Sequence, residues 1–293
     1  MRKESSREKI INKVKKSRDF TNFLMKIFGP KSTHAGKEVI LETEVGPVRT
    51  LWYGFEDKTV KPIFFDLHGG GFILMDADSD EPMNLIYLKK VGCKIISIDY
   101  GKAPENPFPI AVNQTYAVVK HVHQNAEKYG IDPDHMAIGG YSAGGNLSTV
   151  TCLQATRKKE FSFVCQALNY PPLDLSTSPY DKPCPNGAIK PKQASIYDAC
   201  YIEQKDAKNP LVSPIYASNE ELAGMPDALM ILAGRDSLHD EGVRYAHLLE
   251  QAGVSVELHD YDNERHGFHF YRSKKIDKAC NRMADFLKKH LFA

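Results

Sequence analysis

An α/β fold built on one mostly parallel sheet is what the sequence predicts, and three observations predict it. Short apolar strand-like runs alternate along the chain with helix-length stretches. The pentapeptide Gly140-Tyr141-Ser142-Ala143-Gly144 stands between a buried-type strand at residues 135–139 and a small-residue helix at 146–156. With 293 residues, 42% of them hydrophobic, the chain can build a sizeable core as one large domain or two small ones.

The elements follow in order. Residues 1–30 carry Ile10, Ile11, Val14, Phe20, Phe23, Leu24, Ile27 and Phe28 among Lys and Arg, largely at helical spacing, and Gly29-Pro30 ends the stretch. The first 31 residues hold ten Lys/Arg against three Asp/Glu. A basic amphipathic helix can lie on a membrane surface, but packing on its own protein with the charges in water is the simpler reading. Residues 39–45 and 48–55 read as a hairpin about Gly46-Pro47, and 62–67 as a buried strand running into His68-Gly69-Gly70-Gly71-Phe72. A helix over 76–91, a strand over 93–99 and a long helix over 107–128 come next. After the Ser142 turn, 163–169 is a strand. Residues 171–214, rich in Pro, Ser, Asp and Tyr, break the rhythm, with a helical piece near 193–203. An irregular insertion of that length in a compact domain usually serves as a lid or binding loop. A strand over 227–233, a helix over 240–252, a strand over 254–261 and a closing helix over 274–290 complete the chain, without internal repeats.

Composition narrows the function classes. A formal net charge of +1 argues against a nucleic-acid binder, and no apolar run reaches membrane-spanning or signal-peptide form. The six cysteines form no C-x-x-C and suggest reduced thiols in a cytoplasmic compartment. His121 and His123 would point to different faces of a helix, and His259 and Asp260 to opposite faces of a strand, so neither pair predicts a metal site.

The chemistry legible here is nucleophilic catalysis by a serine. It needs a base for the hydroxyl proton, a carboxylate to orient that base, and backbone donors for an oxyanion. On strands of a parallel sheet these groups belong at the carboxyl ends, in the order Ser, acid, His. Ser142 is the candidate nucleophile. Asp236, just past the 227–233 strand, is the candidate acid; Asp240 competes but sits where the next helix wants an N-cap. His266, between the last strand and last helix, is the candidate base, with His269 second. His68-Gly69-Gly70-Gly71 can bend so that amides face negative charge, with His68 ordering the loop. It lacks the following Lys-Ser/Thr and the G-x-G-x-x-G spacing of phosphate-binding loops.

These motifs together resemble the hormone-sensitive-lipase-like family of α/β-hydrolases, the small carboxylesterases. The resemblance runs over about residues 60–290: His68-Gly69-Gly70-Gly71-Phe72, the segment 103–109, Gly140 to Leu147, Ser213-Pro214, the stretch Asp236 to Gly242, and His266-Gly267-Phe268. It implies an α/β-hydrolase fold, an eight-stranded sheet with helices on both faces, and a helical cap drawn from residues 1–35 and about 175–210. The catalytic domain would then be 36–293. It implies Ser142, Asp236 and His266 as a triad, and the amides of Gly70, Gly71 and Ala143 as the oxyanion hole, with Gly69 serving the turn. The expected activity is hydrolysis of short-chain acyl esters, acetyl esters among them, with no cofactor or metal. The expected state is a monomer or homodimer without stable membrane insertion and without nucleic acid. The alternatives are an amidase or lipase of the same family, or a small-ligand receptor on the same scaffold. Three positions depart from the common pattern: Tyr141 replaces a frequent acidic residue, Tyr100-Gly101-Lys102 lacks the usual Arg and Leu, and Ser237 follows the acid.

Overall fold

The computed structural model describes residues 7–15, 33–270 and 274–293. Its centre is an eight-stranded sheet of order β1-β2-β4-β3-β5-β6-β7-β8. β1 (Lys37–Thr43) and β2 (Gly46–Tyr53) form the expected hairpin, and β2 joins β4 (Lys94–Asp99) antiparallel. From there the sheet is parallel through β3 (Lys61–Leu67), β5 (Ile131–Tyr141), β6 (Cys165–Asn169), β7 (Asp227–Arg235) and β8 (Val256–Arg265). The central strands are buried on both faces, which is why they read as unbroken apolar runs. Along β3, Ile63, Phe65 and Leu67 enter one core cluster and Phe64 the other. That alternation places a core on each side of the sheet.

Helices α3 (Ile110–Gln124), α5 (Ala143–Lys158) and α8 (His239–Gln251) contribute to one core; α2 (Glu81–Val91) and α9 (Lys274–Leu291) close the other. The helical residues 7–15, here α1, lie against the protein itself. Val14 is buried in the first core, and the Arg7 guanidinium donates to the carbonyls of Ala199 at 2.8 Å and Ile202 at 3.3 Å. The expected packing on its own chain therefore holds for these residues; Phe20 to Pro30 lie outside the described ones.

Several boundaries differ from expectation for local reasons. The stretch 76–91 opens with a 3-10 turn, Ala77–Asp80, before α2. The expected 107–128 helix begins only at Ile110, because Pro109 disfavours helical backbone at Phe108. It then breaks at Asn125, whose side-chain amide donates to the His121 carbonyl at 2.8 Å, leaving a short α4 (Ala126–Tyr129). α5 starts at Ala143, three residues before Asn146; two glycines of low helix propensity masked its first turn.

Two buried features fix β3 against its neighbours, the first at the Ser142 turn and the second at α2 and β4. A side chain on Gly144 would overlap the Leu67 carbonyl and come within 2.6 Å of the His68 carbonyl, and Gly140 meets Leu67 in the same way. The Asp66 carboxylate, fully buried, accepts from Asn84 Nδ2 at 2.8 Å and Ser97 Oγ at 2.7 Å. Desolvation outweighs those two hydrogen bonds and pushes its pKa up to about 6.

Gly144→Ala is expected to lower unfolding free energy by roughly 1–3 kcal/mol, because the overlap is with backbone that cannot swing aside; an unchanged chemical-denaturation midpoint would contradict the close approach. The raised Asp66 pKa means that the folded state holds its proton above pH ~4, where an unfolded carboxyl releases it. Its contribution is complete below that value and is lost as pH rises through about 6. Denaturation series across this window should show a smaller decline for Asp66→Asn than for wild type; parallel curves would rule the assignment out.

Candidate active site

β5 ends at Tyr141 and α5 begins at Ala143, so Ser142 occupies the turn itself, at φ 53° and ψ −118°. A non-glycine residue at positive φ persists only where its surroundings hold it. Here the Ser142 amide donates to the Asn169 carbonyl at the end of β6, 2.8 Å away, and the Ser142 carbonyl accepts from the Asn146 amide at 3.1 Å. Glycines at 140 and 144 let the turn press against β3.

The other two candidates arrive from neighbouring strand ends. Asp236 follows β7 and His266 follows β8 directly. The Ser142 hydroxyl lies 2.9 Å from His266 Nε2, and His266 Nδ1 lies 2.5 Å from Asp236 Oδ2. The second Asp236 oxygen accepts from the Leu238 amide at 3.2 Å. With its side chain 1% exposed, Asp236 is shielded from water, whereas the imidazole keeps 13%. An ionised carboxylate accepts only, so Nδ1 carries the imidazole proton and Nε2 faces the serine as acceptor.

The competitors are elsewhere. His269 is buried, with Nδ1 at 3.1 Å from the Tyr170 hydroxyl, and burial drives its pKa down to about 3. The Tyr170 ring in turn stands edge-on to His266, 4.8 Å between centroids, so His269 supports a wall of the site. Asp240 does not cap α8. Leu238 occupies the cap position, and Asp240 lies exposed in the first turn beside His239 at 3.1 Å. His239 also reaches Asp260 at 2.5 Å, and these carboxylates outweigh its partial burial to raise its pKa.

The glycine loop lies alongside. A side chain on Gly69 would sit 3.7 Å from Ser142 Cβ, which sets the loop against the Ser142 turn. Gly70 and Gly71 have φ of 113° and 60°. His68 is buried below them, stacked on Tyr100 at 4.1 Å, with Nδ1 donating to the Gly69 carbonyl at 2.7 Å. Burial lowers its pKa, against the pull of Asp99. The Tyr100 hydroxyl donates to the His68 carbonyl at 2.7 Å. Ala143 is the first residue of α5, where a helix leaves its amide without an internal acceptor. Tyr141, in place of an acidic residue, is fully buried and shares a hydrogen bond with Tyr87.

The insertion roofs the loop through α6 (Pro191–Tyr201). Tyr201 stacks on Phe72 at 3.8 Å, and the Tyr197 ring lies where a Gly71 side chain would be. The segment 103–109 links both: the Ala103 amide donates to Phe72 at 2.9 Å and the Phe108 amide to Tyr201 at 2.8 Å. At the root of the insertion, Asn146 Nδ2 donates to the carbonyls of Pro172 at 2.8 Å and Val212 at 2.9 Å. Ser213 Oγ accepts from the Leu175 amide at 2.8 Å. A pocket opens at Ser142, bounded by Gly71, Phe72, Leu175, Tyr197, Asp198 and Leu238 among others. Sequence reasoning missed Tyr170, Tyr197 and Asp198. Tyr170 carries one signal, its place directly after a central strand; the two insertion residues carry none.

Among the described residues no cluster of three or more His, Cys, Asp or Glu could hold a metal ion, and no helix is long and apolar enough to cross a membrane. All six cysteines are free, five of them buried and Cys184 exposed.

The family described as α/β hydrolase fold matches residues 64–270. The carboxylic ester hydrolase LipN of Mycobacterium tuberculosis is 35% identical over 216 residues, covering 71% of this chain and 57% of LipN. The carboxylesterase NlhH of the same organism is 32% identical over 226 residues, covering 76% of this chain and 70% of NlhH. Among solved structures, an esterase of Pyrobaculum calidifontis superposes with a TM-score of 0.82 at 30% identity, covering 99% of this chain and 95% of the other. The match over most of the chain, the parallel sheet and the esterases it resembles have one conclusion: the chain belongs to the α/β-hydrolase fold family, among its hormone-sensitive-lipase-like members.

Proposed function

We propose that the protein is a serine carboxylesterase that hydrolyses short-chain acyl esters, with Ser142 as nucleophile, His266 as general base and acid, and Asp236 as the orienting carboxylate. The observation that carries the reading is the unbroken hydrogen-bonded relay from Ser142 Oγ through His266 to Asp236, at the mouth of a pocket. Nε2 takes the Ser142 proton as Oγ bonds to the ester carbonyl carbon, and Asp236 stabilises the imidazolium. The carbonyl oxygen gains the negative charge. The amides of Gly70, Gly71 and Ala143 are the proposed donors to it. Collapse breaks the bond to the alcohol, which leaves with the Nε2 proton. Water then attacks the acyl-enzyme, its proton passing to Nε2; collapse returns that proton to Ser142 and frees the acid.

The short-chain preference is supported by the pocket, whose apolar wall of Leu175, Ile189 and Leu238 is interrupted by Lys182 and Asp198. A long alkyl chain would have to bury those charged groups. Residues 1–35 and about 175–210 are proposed to act together as the cap; the Arg7 contacts to Ala199 and Ile202 favour that pairing. Six free thiols fit a reducing, cytoplasmic setting. A receptor on this scaffold has no need of the complete relay, so the enzyme reading is preferred.

Rates on chromogenic esters from acetyl to dodecanoyl test the proposal. Wild type should peak within the acetyl-to-hexanoyl range, and Ser142→Ala should lower kcat by roughly 10⁴-fold or more. Absence of turnover, or turnover undiminished in Ser142→Ala, would refute it. Asp236→Asn should reduce kcat by about 10³–10⁴-fold with little change in KM, since it disturbs the imidazole and not the pocket; a loss confined to KM would show that Asp236 has another role.

A further inference from the structure

We infer that the pocket beside Ser142 takes a substrate group bearing a cationic ammonium, received by the Asp198 carboxylate. The inference rests on the esterase reading and adds the class of ester.

The argument is a charge balance in a confined space. The pocket wall is mostly apolar or aromatic, through Phe72, Leu175, Ile189, Tyr197 and Leu238, and its charged members are Lys182 and Asp198. Lys182 is already committed. Its ammonium donates to Glu241 Oε2 at 2.5 Å and to the Asp174 carbonyl at 2.6 Å. Glu241, with its side chain 7% exposed, is held in turn by the Leu173 amide at 2.7 Å. Lys182 and Glu241 therefore form a closed hydrogen-bonded pair, although of the two the Lys182 charge acts more strongly on Asp198. Asp198 is left over, and among the described residues its carboxylate has neither a hydrogen bond nor an ion pair.

The fold keeps Asp198 there without using it. Its backbone serves α6, accepting from the Ile202 amide at 3.0 Å, while Tyr201 and Tyr197 anchor that helix on Phe72 and Gly71. The neighbouring Tyr197 hydroxyl is engaged by Gln193 Nε2 at 2.5 Å. Desolvation pushes the Asp198 pKa up to about 7, with Lys182 lowering it and Glu241 raising it. A carboxylate in that condition gains most from a cation that enters with its own charge, because the pair offsets a desolvation penalty already present. The rings of Phe72 and Tyr197 on the same wall suit an ammonium as well. A neutral alkyl group of equal size would fill the space without offsetting that penalty, and the carboxyl would be favoured in its protonated form.

Isosteric ester pairs, in which trimethylammonium is exchanged for tert-butyl, isolate the charge. Acetylcholine and its carbon isostere place the group on the alcohol; the methyl ester of trimethylammoniobutyrate and its isostere place it on the acyl chain. For at least one pair, the cationic-to-neutral ratio of kcat/KM should be about tenfold higher in wild type than in Asp198→Asn. Equal ratios in both proteins on both pairs overturn the inference and leave ester hydrolysis standing. Where no ester turns over, the esterase reading fails, and calorimetric titration with hexyltrimethylammonium decides the ammonium site alone. Binding about tenfold weaker in Asp198→Asn supports it; equal or absent binding overturns it. Should Asp198→Asn not fold, wild type is titrated with hexyltrimethylammonium and with hexanol: the ammonium must bind about tenfold more tightly, and equal binding refutes the site.

Discussion

Everything at the candidate site depends on how closely two backbones approach one another. The turn between β5 and α5 is pressed against the end of β3, so that side chains at 140 or 144 would run into the Leu67 carbonyl. In that turn Ser142 keeps a positive φ, with ψ at −118°, which an ordinary turn would relax. The contact brings the first residues of α5, whose amides a helix leaves open, next to the glycine loop leaving β3. Neither the exposed hydroxyl nor the facing loop would survive a wider turn.

The relay is a product of sheet order. β5, β6, β7 and β8 are consecutive in the sheet, each parallel to the next, so their carboxyl ends form one rim. Ser142, Tyr170, Asp236 and His266 each stand directly after one of these strands. Loops starting from a shared, rigid edge lose little entropy in bringing the three polar side chains together. Tyr170 takes part from the strand between, walling His266 and holding His269 in the core.

α6 gives the site its roof, and it does so with aromatic contact where a strand would use backbone pairing. Tyr201 on Phe72 and Tyr197 over Gly71 join the insertion to the loop that borders Ser142. The roof is also where charge enters an otherwise apolar pocket, through Lys182 and Asp198. In the proposed reading, machinery and selectivity thus come from different parts of the chain: the rim holds the relay, and the insertion borders the pocket.

By itself the sequence determined the alternation of strands and helices, the strand–turn–helix about Ser142 and the strand-end positions of Asp236 and His266. Apolar runs, glycine spacing and chain order are local properties, and local physics reads them. Boundaries set by competing local bonds, such as the break at Asn125 and the hidden first turn of α5, were less legible. Only tertiary structure decided between His266 and His269, since one lies at the rim and the other in the core though three residues apart. It alone put Asp240 outside α8's cap position and gave Tyr197 and Asp198 to the pocket. Those outcomes turn on which distant groups share one small volume, and a residue's type and spacing carry no record of its neighbours in space.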